Sequence, residues 1–443
     1  MAPRIEPVAT DDVLPAQVDV VIVGAGIIGT SAALFLARKG ISCLVCEKGH
    51  IAGEQSSRNW GWCRNTGRDP VEIPLMLESL RLWDEMNEMT QMQTGFTRAG
   101  IAQLCTTAAE LEKCERWLDC ARAYQVDARF ISKSEIDHTF GRTGKNWLGV
   151  LYSSSDGRAE PSLATPAIAA AARKAGALLV TNCAVRGYET QGGLISAAVT
   201  EKGRVRCRSL VVAGGVWSRL FVGNDGIDFP QLKVMTSVLR TTKIENGPQG
   251  AAIGRGFSFR KHSDGGYVIS QANRNVVDVG PDNLRLFGAF FPVLKDRWKT
   301  IKLRYGRQAV EEWMQPRHWS LDQISPFEKQ RVVDPKPYEP FLKESLENAG
   351  NAFPVFKNAG IAESWGGMLD VTPDALPVIC SIDERPGLFV ASGFSGHGFG
   401  LGPAAGKLAA DMVCGNTPSV DPNPFHIKRF NAAIYPKPSP LAM

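Results

Sequence analysis

From residue 18 the chain reads VDVVIVGAGIIGTSAALFLARKGISCLVCEK. Val20–Val23 is an unbroken β-branched run, the pattern of a strand buried on both faces. The pattern then turns helical: Ala and Leu recur from about Thr30 to Lys39, with Gly40 placed to cap the end. ISCLVCE predicts a second strand. By length alone the uncharged stretch from Val20 to Ala37 could span a membrane. Three glycines and the change of period argue instead for strand, turn and helix.

Similar units recur downstream. GALLVTNCAVRGYE and LISAAVTEKGRVRCR predict successive strands, and SLVVAGGVWSRL a buried strand entering a Gly214-Gly215 turn. PGLFVASGFSGHGFGLGPAAGKLAADMVCG predicts a strand at 388–391, a glycine-rich turn at 393–402 and a helix from about Pro403. Residues 283–319 form a basic, partly amphipathic insertion carrying LFGAFFPVL. A pocket cover or subunit contact is expected of it, with peripheral membrane docking the alternative. The tail after Asn416 reads as an extended closing arm, and no internal repeat is visible.

Composition narrows the class. The 443 residues are 44% hydrophobic and 21% charged, enough for a packed core and for more than one lobe. The net charge of +5 is spread along the chain, and no nucleic-acid partner is expected. Cys43 and Cys46 form a CxxC, but on a strand residues three apart face opposite ways, so no redox or metal pair is expected. The six histidines include no HExxH, so no metal site is indicated. Irregularly spaced thiols and the lack of a signal pattern at the N-terminus suit a cytoplasmic location.

Gly24, Gly26 and Gly29 give G-x-G-x-x-G between strand and helix, and Ile27 and Ile28 within it are candidate cofactor-binding residues. The turn lets backbone amides and the helix dipole meet a pyrophosphate. Glu47, ending the second strand about twenty residues on, can grip ribose hydroxyls, with Lys48 beside it. Past it, Gln55, Ser56, Ser57, Arg58 and Asn59 form a donor-rich cluster followed by Trp60 and closed by Gly61. Val185, then Ala213, Gly214 and Trp217, come from the strands that resume the nucleotide unit. The last glycine turn adds Gly396, Gly398, Phe399 and Gly400 before a helix whose N-terminus can stabilise an electron-rich ring. Glycine-rich turns this far apart suit a long, extended dinucleotide, and FAD is the expected cofactor.

These segments resemble the D-amino-acid oxidase superfamily, which includes glycine and sarcosine oxidases. EKGHIAGEQSSR, VVAGGVWSRLF and HWSLDQISPFEK are similar to the bacterial FAD-dependent L-amino acid deaminases and oxidases. The likeness runs from about Asp19 to Gly415. It implies an α/β fold: a Rossmann-like FAD-binding domain from residues 1–95, 150–228 and 350–443, and a discontinuous α+β substrate domain from 96–149 and 229–349. It also implies oxidative deamination of L-amino acids to 2-oxo acid and ammonia, with oxygen reoxidising the flavin and a homo-oligomer. The alternative is oxidation of a secondary amine, opine or D-amino acid with a quinone acceptor. The sequence departs from these relatives in several places. Trp62 stands where the deaminases have glutamine, His397 where they have tryptophan, and no N-terminal membrane helix is seen. Gly367 replaces the cysteine that links flavin in sarcosine oxidases, so FAD is expected to be non-covalent. Leu369 stands where D-amino-acid and glycine enzymes place an arginine.

No protein nucleophile is needed for such chemistry; orientation and charge placement do the work. An amino-acid substrate needs a cation for its carboxylate. By the resemblance Arg274 is the first candidate, two positions beyond the family's arginine but with strand parity kept. Arg64 and Arg68 are rivals. Trp62, Phe394, Trp365 and Met368 are candidate pocket walls. His397 is either a positive group aiding oxygen reduction or a structural hydrogen bonder.

Overall fold

The computed structural model describes residues 3–141, 143–272, 274–431 and 435–442. Its first layer is a six-stranded sheet ordered 378–381, 388–392, 209–212, 20–23, 43–46, 178–180. Every pairing in it is parallel except that between Val378–Ser381 and Leu388–Ser392. Val20, Ile22, Cys43 and Val45 face the helices Ile27–Arg38, Pro161–Lys174 and Gly398–Val413. Val21, Leu44, Cys46 and Leu210 face the opposite way, into a core shared with a three-stranded antiparallel sheet. Burial on both faces explains the unbroken apolar run. It also separates Cys43 from Cys46.

The second layer is a ten-stranded sheet built around the long strand Leu232–Thr241, which pairs antiparallel with Ile361–Val371. The helix Glu339–Ala352 packs on it over Phe257, Phe259, Tyr267, Phe353 and Phe356. Gly149–Ser153 and Ile361–Val371 belong to this sheet, although the sequence grouped residues 150–153 and 361–371 with the nucleotide segments. Through Ile361–Val371 the large sheet delivers side chains to the nucleotide end of the molecule.

Helix ends also differ from expectation. The first helix begins at Ile27 rather than Thr30, and the last at Gly398 rather than Pro403. Gly398, Gly400 and Gly402 read as loop because glycine is a poor helix former. Here they let the helix approach its neighbours: a Cβ on Gly402 would lie 2.6 Å from Ile27.

The insertion forms the helices Phe287–Arg297 and Arg307–Met314 around a strand, Ile301–Arg304, that extends the large sheet beside Asn275–Asp278. Against the expectation of a pocket cover, none of its described residues lines the cleft described below. Phe287, Phe291, Trp298, Tyr305, Trp313 and Met314 are exposed. No helix among the described residues is long and apolar enough to cross a membrane, and no cluster of His, Cys, Asp or Glu among them could hold a metal ion.

Candidate active site

A cleft of about 1190 Å³ lies at the carboxyl ends of the parallel strands, where Val23, Cys46, Val212 and Ala391 line it. That is where an open α/β sheet binds a nucleotide. Gly24, with φ +103°, makes the turn into the first helix; a Cβ there would sit 2.7 Å from the Ala213 carbonyl. Gly29 packs the helix against that turn so closely that a Cβ would lie 2.0 Å from the Gly24 carbonyl. Gly26, Ile27 and Ile28 line the cleft.

Glu47 projects beside this turn. Its carboxylate accepts from the amides of Ala25 and Gly49, both at 2.8 Å. Burial pushes its carboxyl above the usual range, opposed by Lys48 and those amides. Lys48 donates to Glu54 at 2.7 Å and to the carbonyls of Gln330 and Arg331, with its ammonium 4.5 Å from the Trp217 ring centre. Glu54 also accepts from Trp217 Nε1 and from the Val333 amide. Thus the chain around residues 327–333 closes one end of the cleft, where Phe327 joins the wall.

Of the remaining sequence candidates, Gln55, Ser56, Asn59, Val185, Ala213, Gly214, Trp217, Gly396, Gly398 and Phe399 line the cleft. Ser57, Arg58, Trp60, Gly61 and Gly400 do not. Ser57 donates to the Glu54 carbonyl. Arg58 is a strut, bonded to the Gly53 and Gly366 carbonyls and paired with Asp334. Trp60 packs edge-on against Trp62 at 5.5 Å, and Gly61 fits under Ala159 and Arg260. Gly400 accepts from Ser79 and Trp83 through its carbonyl. Ala52, Gly53, Glu54, Gly215, Asp370 and Ser392 also line the cleft. Of these, Glu54 adjoins the donor cluster and could have been found. Asp370 sits in the quoted WGGMLDVTPD; its carboxylate accepts from the Gly393 amide at 2.7 Å, fixing the last glycine turn.

The substrate-side candidates divide. Met368 and Phe394 line the cleft. Trp365 is buried with Val238 and Val268 and donates to the Arg58 carbonyl at 2.9 Å, supporting the wall from behind. Arg64 and Arg68 are buried on the loop between Trp62 and the helix Ile73–Thr90. The Arg64 guanidinium lies 5.6 Å from the Trp62 ring centre. Burial, then Arg68, push Arg64 down to about 9. Arg68 NH1 is buried without a hydrogen-bond partner. Asp156 holds this loop by accepting from the amides of Asn65 and Thr66 and the Thr66 hydroxyl.

His397 donates or accepts through Nδ1 at the Glu72 carboxylate, 2.9 Å from Oε2 and 3.2 Å from Oε1. Glu72 is fully buried and was not singled out in the sequence, since it lies 325 residues from its partner. Burial and then Arg68 lower the His397 pKa, with Glu72 opposing. A cationic histidine is therefore disfavoured.

Arg274 is placed elsewhere. It pairs with Glu344 at 2.6 Å and lies over the Phe341 ring, partly exposed, and it does not line the cleft. The parity argument fails because the strand Tyr267–Ser270 ends before it.

A nucleotide cleft at the strand ends, glycine turns from three parts of the chain and an acid at the second strand define a dinucleotide-binding protein of the Rossmann type. The chain belongs to the FAD-dependent oxidoreductase family, whose model matches residues 19–412. L-Amino acid deaminase from Proteus myxofaciens, solved in complex with anthranilate, is 33% identical, with 97% of this chain and 96% of that chain covered at a TM-score of 0.92. L-Amino acid deaminase from Proteus vulgaris is 33% identical, with 97% and 100% covered at 0.91. Among curated relatives, 4-methylaminobutanoate oxidase (formaldehyde-forming) of Paenarthrobacter nicotinovorans is 23% identical over 423 residues, 95% of this chain and 46% of that protein. The chain spans less than half the length of the first curated relatives it matches.

The residues present fit the family's FAD. Gln55 Oε1 is buried with no protein partner on the cleft wall, and a ligand hydroxyl would supply its missing donor. Glu47 and the turn at Gly24–Ile28 would hold ribose and pyrophosphate, and the glycine turn at 393–398 the ring end.

Proposed function

We propose that the protein catalyses FAD-dependent oxidative deamination of L-amino acids, giving a 2-oxo acid and ammonia, with oxygen as the electron acceptor. The observation that carries this reading is the buried arginine pair Arg64 and Arg68, whose charges act on His397 in the last glycine turn. Arg68 NH1 lacks a partner, and a buried guanidinium donor left unmade is costly. A substrate carboxylate satisfies it. Arg64 or Arg68, rather than Arg274, then binds that carboxylate, while Met368, Phe394 and Trp62 enclose the side chain. Similarity to the Proteus deaminases over nearly the whole chain supports the same reading.

FAD supplies the hydride acceptor when bound, and is held non-covalently: Gly367 offers no thiol, and a Cβ there would meet Gln55 Oε1 at 2.5 Å. The protein's part is to fix the carboxylate, exclude water with apolar walls and leave the amine uncharged. A secondary-amine oxidase or dehydrogenase is the alternative, favoured by the similarity to 4-methylaminobutanoate oxidase. The deciding experiment is an anaerobic flavin-bleaching screen over L- and D-amino acids, sarcosine and octopine, followed by peroxide measurement in air. Bleaching by L-amino acids with peroxide release is expected. Bleaching by sarcosine or octopine alone would replace this reading with the alternative.

A further inference from the structure

Removing hydride from the carbon of a C–N bond needs a lone pair on nitrogen, and the ammonium form of an amino acid has none. A basic group beside the cleft would take that proton on the enzyme, so that the scarce free amine need not be selected from solution. Among the described residues, the nearby carboxylates are already engaged. Glu47 takes the Ala25 and Gly49 amides, Asp370 the Gly393 amide, and Asp156 the Asn65 and Thr66 amides. Arginines cannot accept.

His397 is different. It sits between Gly396 and Gly398, both on the cleft wall, and its ring retains 23% exposure. Nδ1 is committed to Glu72, whereas no hydrogen bond from a described residue reaches Nε2. A neutral ring that donates from Nδ1 to Glu72 keeps a lone pair on Nε2. The charged groups facing it are Arg64 and Arg68 from the preceding loop and Glu72 from the start of the helix Ile73–Thr90. His397 also precedes the first turn of Gly398–Val413, whose dipole disfavours a resident cation.

We propose that His397 and Glu72 form the proton-accepting pair of this site. Nε2 of His397 takes a proton from the substrate ammonium while Glu72 fixes the ring and stabilises the imidazolium. This deepens the deamination reading and rests on it. The N–H bond breaks and its electron pair stays on the substrate nitrogen; a new N–H bond forms at Nε2. That pair becomes the C=N bond as the α-hydrogen leaves with its own electrons, and the imidazolium returns its proton to water at its exposed edge. Burial and Arg68 keep the resting ring neutral, so its Nε2 lone pair is free, while Glu72 opposes them and favours the imidazolium once the proton arrives.

The test is anaerobic stopped-flow reduction of the bound flavin from pH 6 to 10, using the L-amino acid that bleaches the holoenzyme fastest. For His397→Asn, reduction at pH 7 should fall about 10²-fold, the usual scale of general-base loss. The acid limb should move toward the amine's own pKa, so that the deficit shrinks to a few-fold at pH 10, and added imidazole should restore part of the rate at pH 7. Glu72→Gln should shift the limb in the same direction with a smaller loss. A His397→Asn holoenzyme with the wild-type profile, or one equally slowed at every pH, overturns the proposal. Should that variant not retain flavin, Glu72→Gln decides, and an unshifted limb there overturns it. If no L-amino acid reduces the wild-type flavin, it is the deamination reading that fails. Reduction with an unaltered profile in the variants sinks the proton-accepting pair alone.

Discussion

Asp156 tests whether the arginine loop is positioned or merely present. Its buried carboxylate accepts from the Asn65 amide at 2.7 Å, the Thr66 amide at 3.1 Å and the Thr66 hydroxyl at 2.6 Å. Burial pushes its carboxyl up, with the Thr66 hydroxyl and both amides opposing. Asp156→Ala would strand those donors. Each bond to a charged acceptor is worth about 1.5–3 kcal/mol, so the gross loss is roughly 5–9 kcal/mol. Relief of the desolvated charge and entry of water offset part of it, leaving about 3–5 kcal/mol, the usual scale for breaking a buried charged contact. The loop carries Arg64 and Arg68 but supplies no cleft-lining residue, so flavin should stay bound. Denaturant unfolding of the holoenzyme, read by flavin fluorescence, should show the destabilisation, and substrate KM should rise at least about tenfold as the arginines lose their register. Asp156→Asn, which keeps one acceptor oxygen, should fall between. An Asp156→Ala holoenzyme with unchanged unfolding and unchanged KM would refute the reasoning.

Three further outcomes follow from the same geometry. Arg68→Ala should raise KM about 10- to 150-fold, the equivalent of a lost 1.5–3 kcal/mol charged contact, while Arg274→Ala should change it less than about twofold; steady-state assays with both variants check this. Gly29→Ala, whose Cβ would lie 2.0 Å from the Gly24 carbonyl, should yield protein without bound flavin, seen as a colourless preparation. Although burial pushes Glu328 up, Arg186 and the Ser325 amide and hydroxyl hold it down at about 2. A depressed carboxylate stabilises above its unfolded value and loses that contribution as pH falls from about 4.5 to about 2. Glu328→Gln should therefore lower unfolding stability by about 1–2 kcal/mol at pH 7 and flatten its acid dependence over that window, measured by denaturant unfolding.

How much of this was legible depends on distance along the chain. The glycine turn, the Val20–Val23 strand and Glu47 could be read because their physics is local: turn, helix start and acid lie within a span of about thirty residues. The boundary of the last helix was misplaced because glycine propensity argued for loop, while close packing against Ile27 demanded glycine inside the helix. Tertiary contact outweighs propensity there. Glu72 was invisible because nothing near it in sequence marks it; only the fold brings it to His397. Arg274 lies off the cleft for a related reason. Parity along a strand holds only while the strand continues, and beyond Ser270 the chain leaves the ladder, so the arginine finds Glu344 and Phe341. A guanidinium already paired at a partly exposed position gains little by adding a carboxylate. One buried with an unmet donor gains a partner it otherwise lacks, and Arg68 meets that condition. The proposed choice of anion site thus turns on unmet hydrogen-bonding capacity in the folded protein, which no spacing rule along the chain encodes.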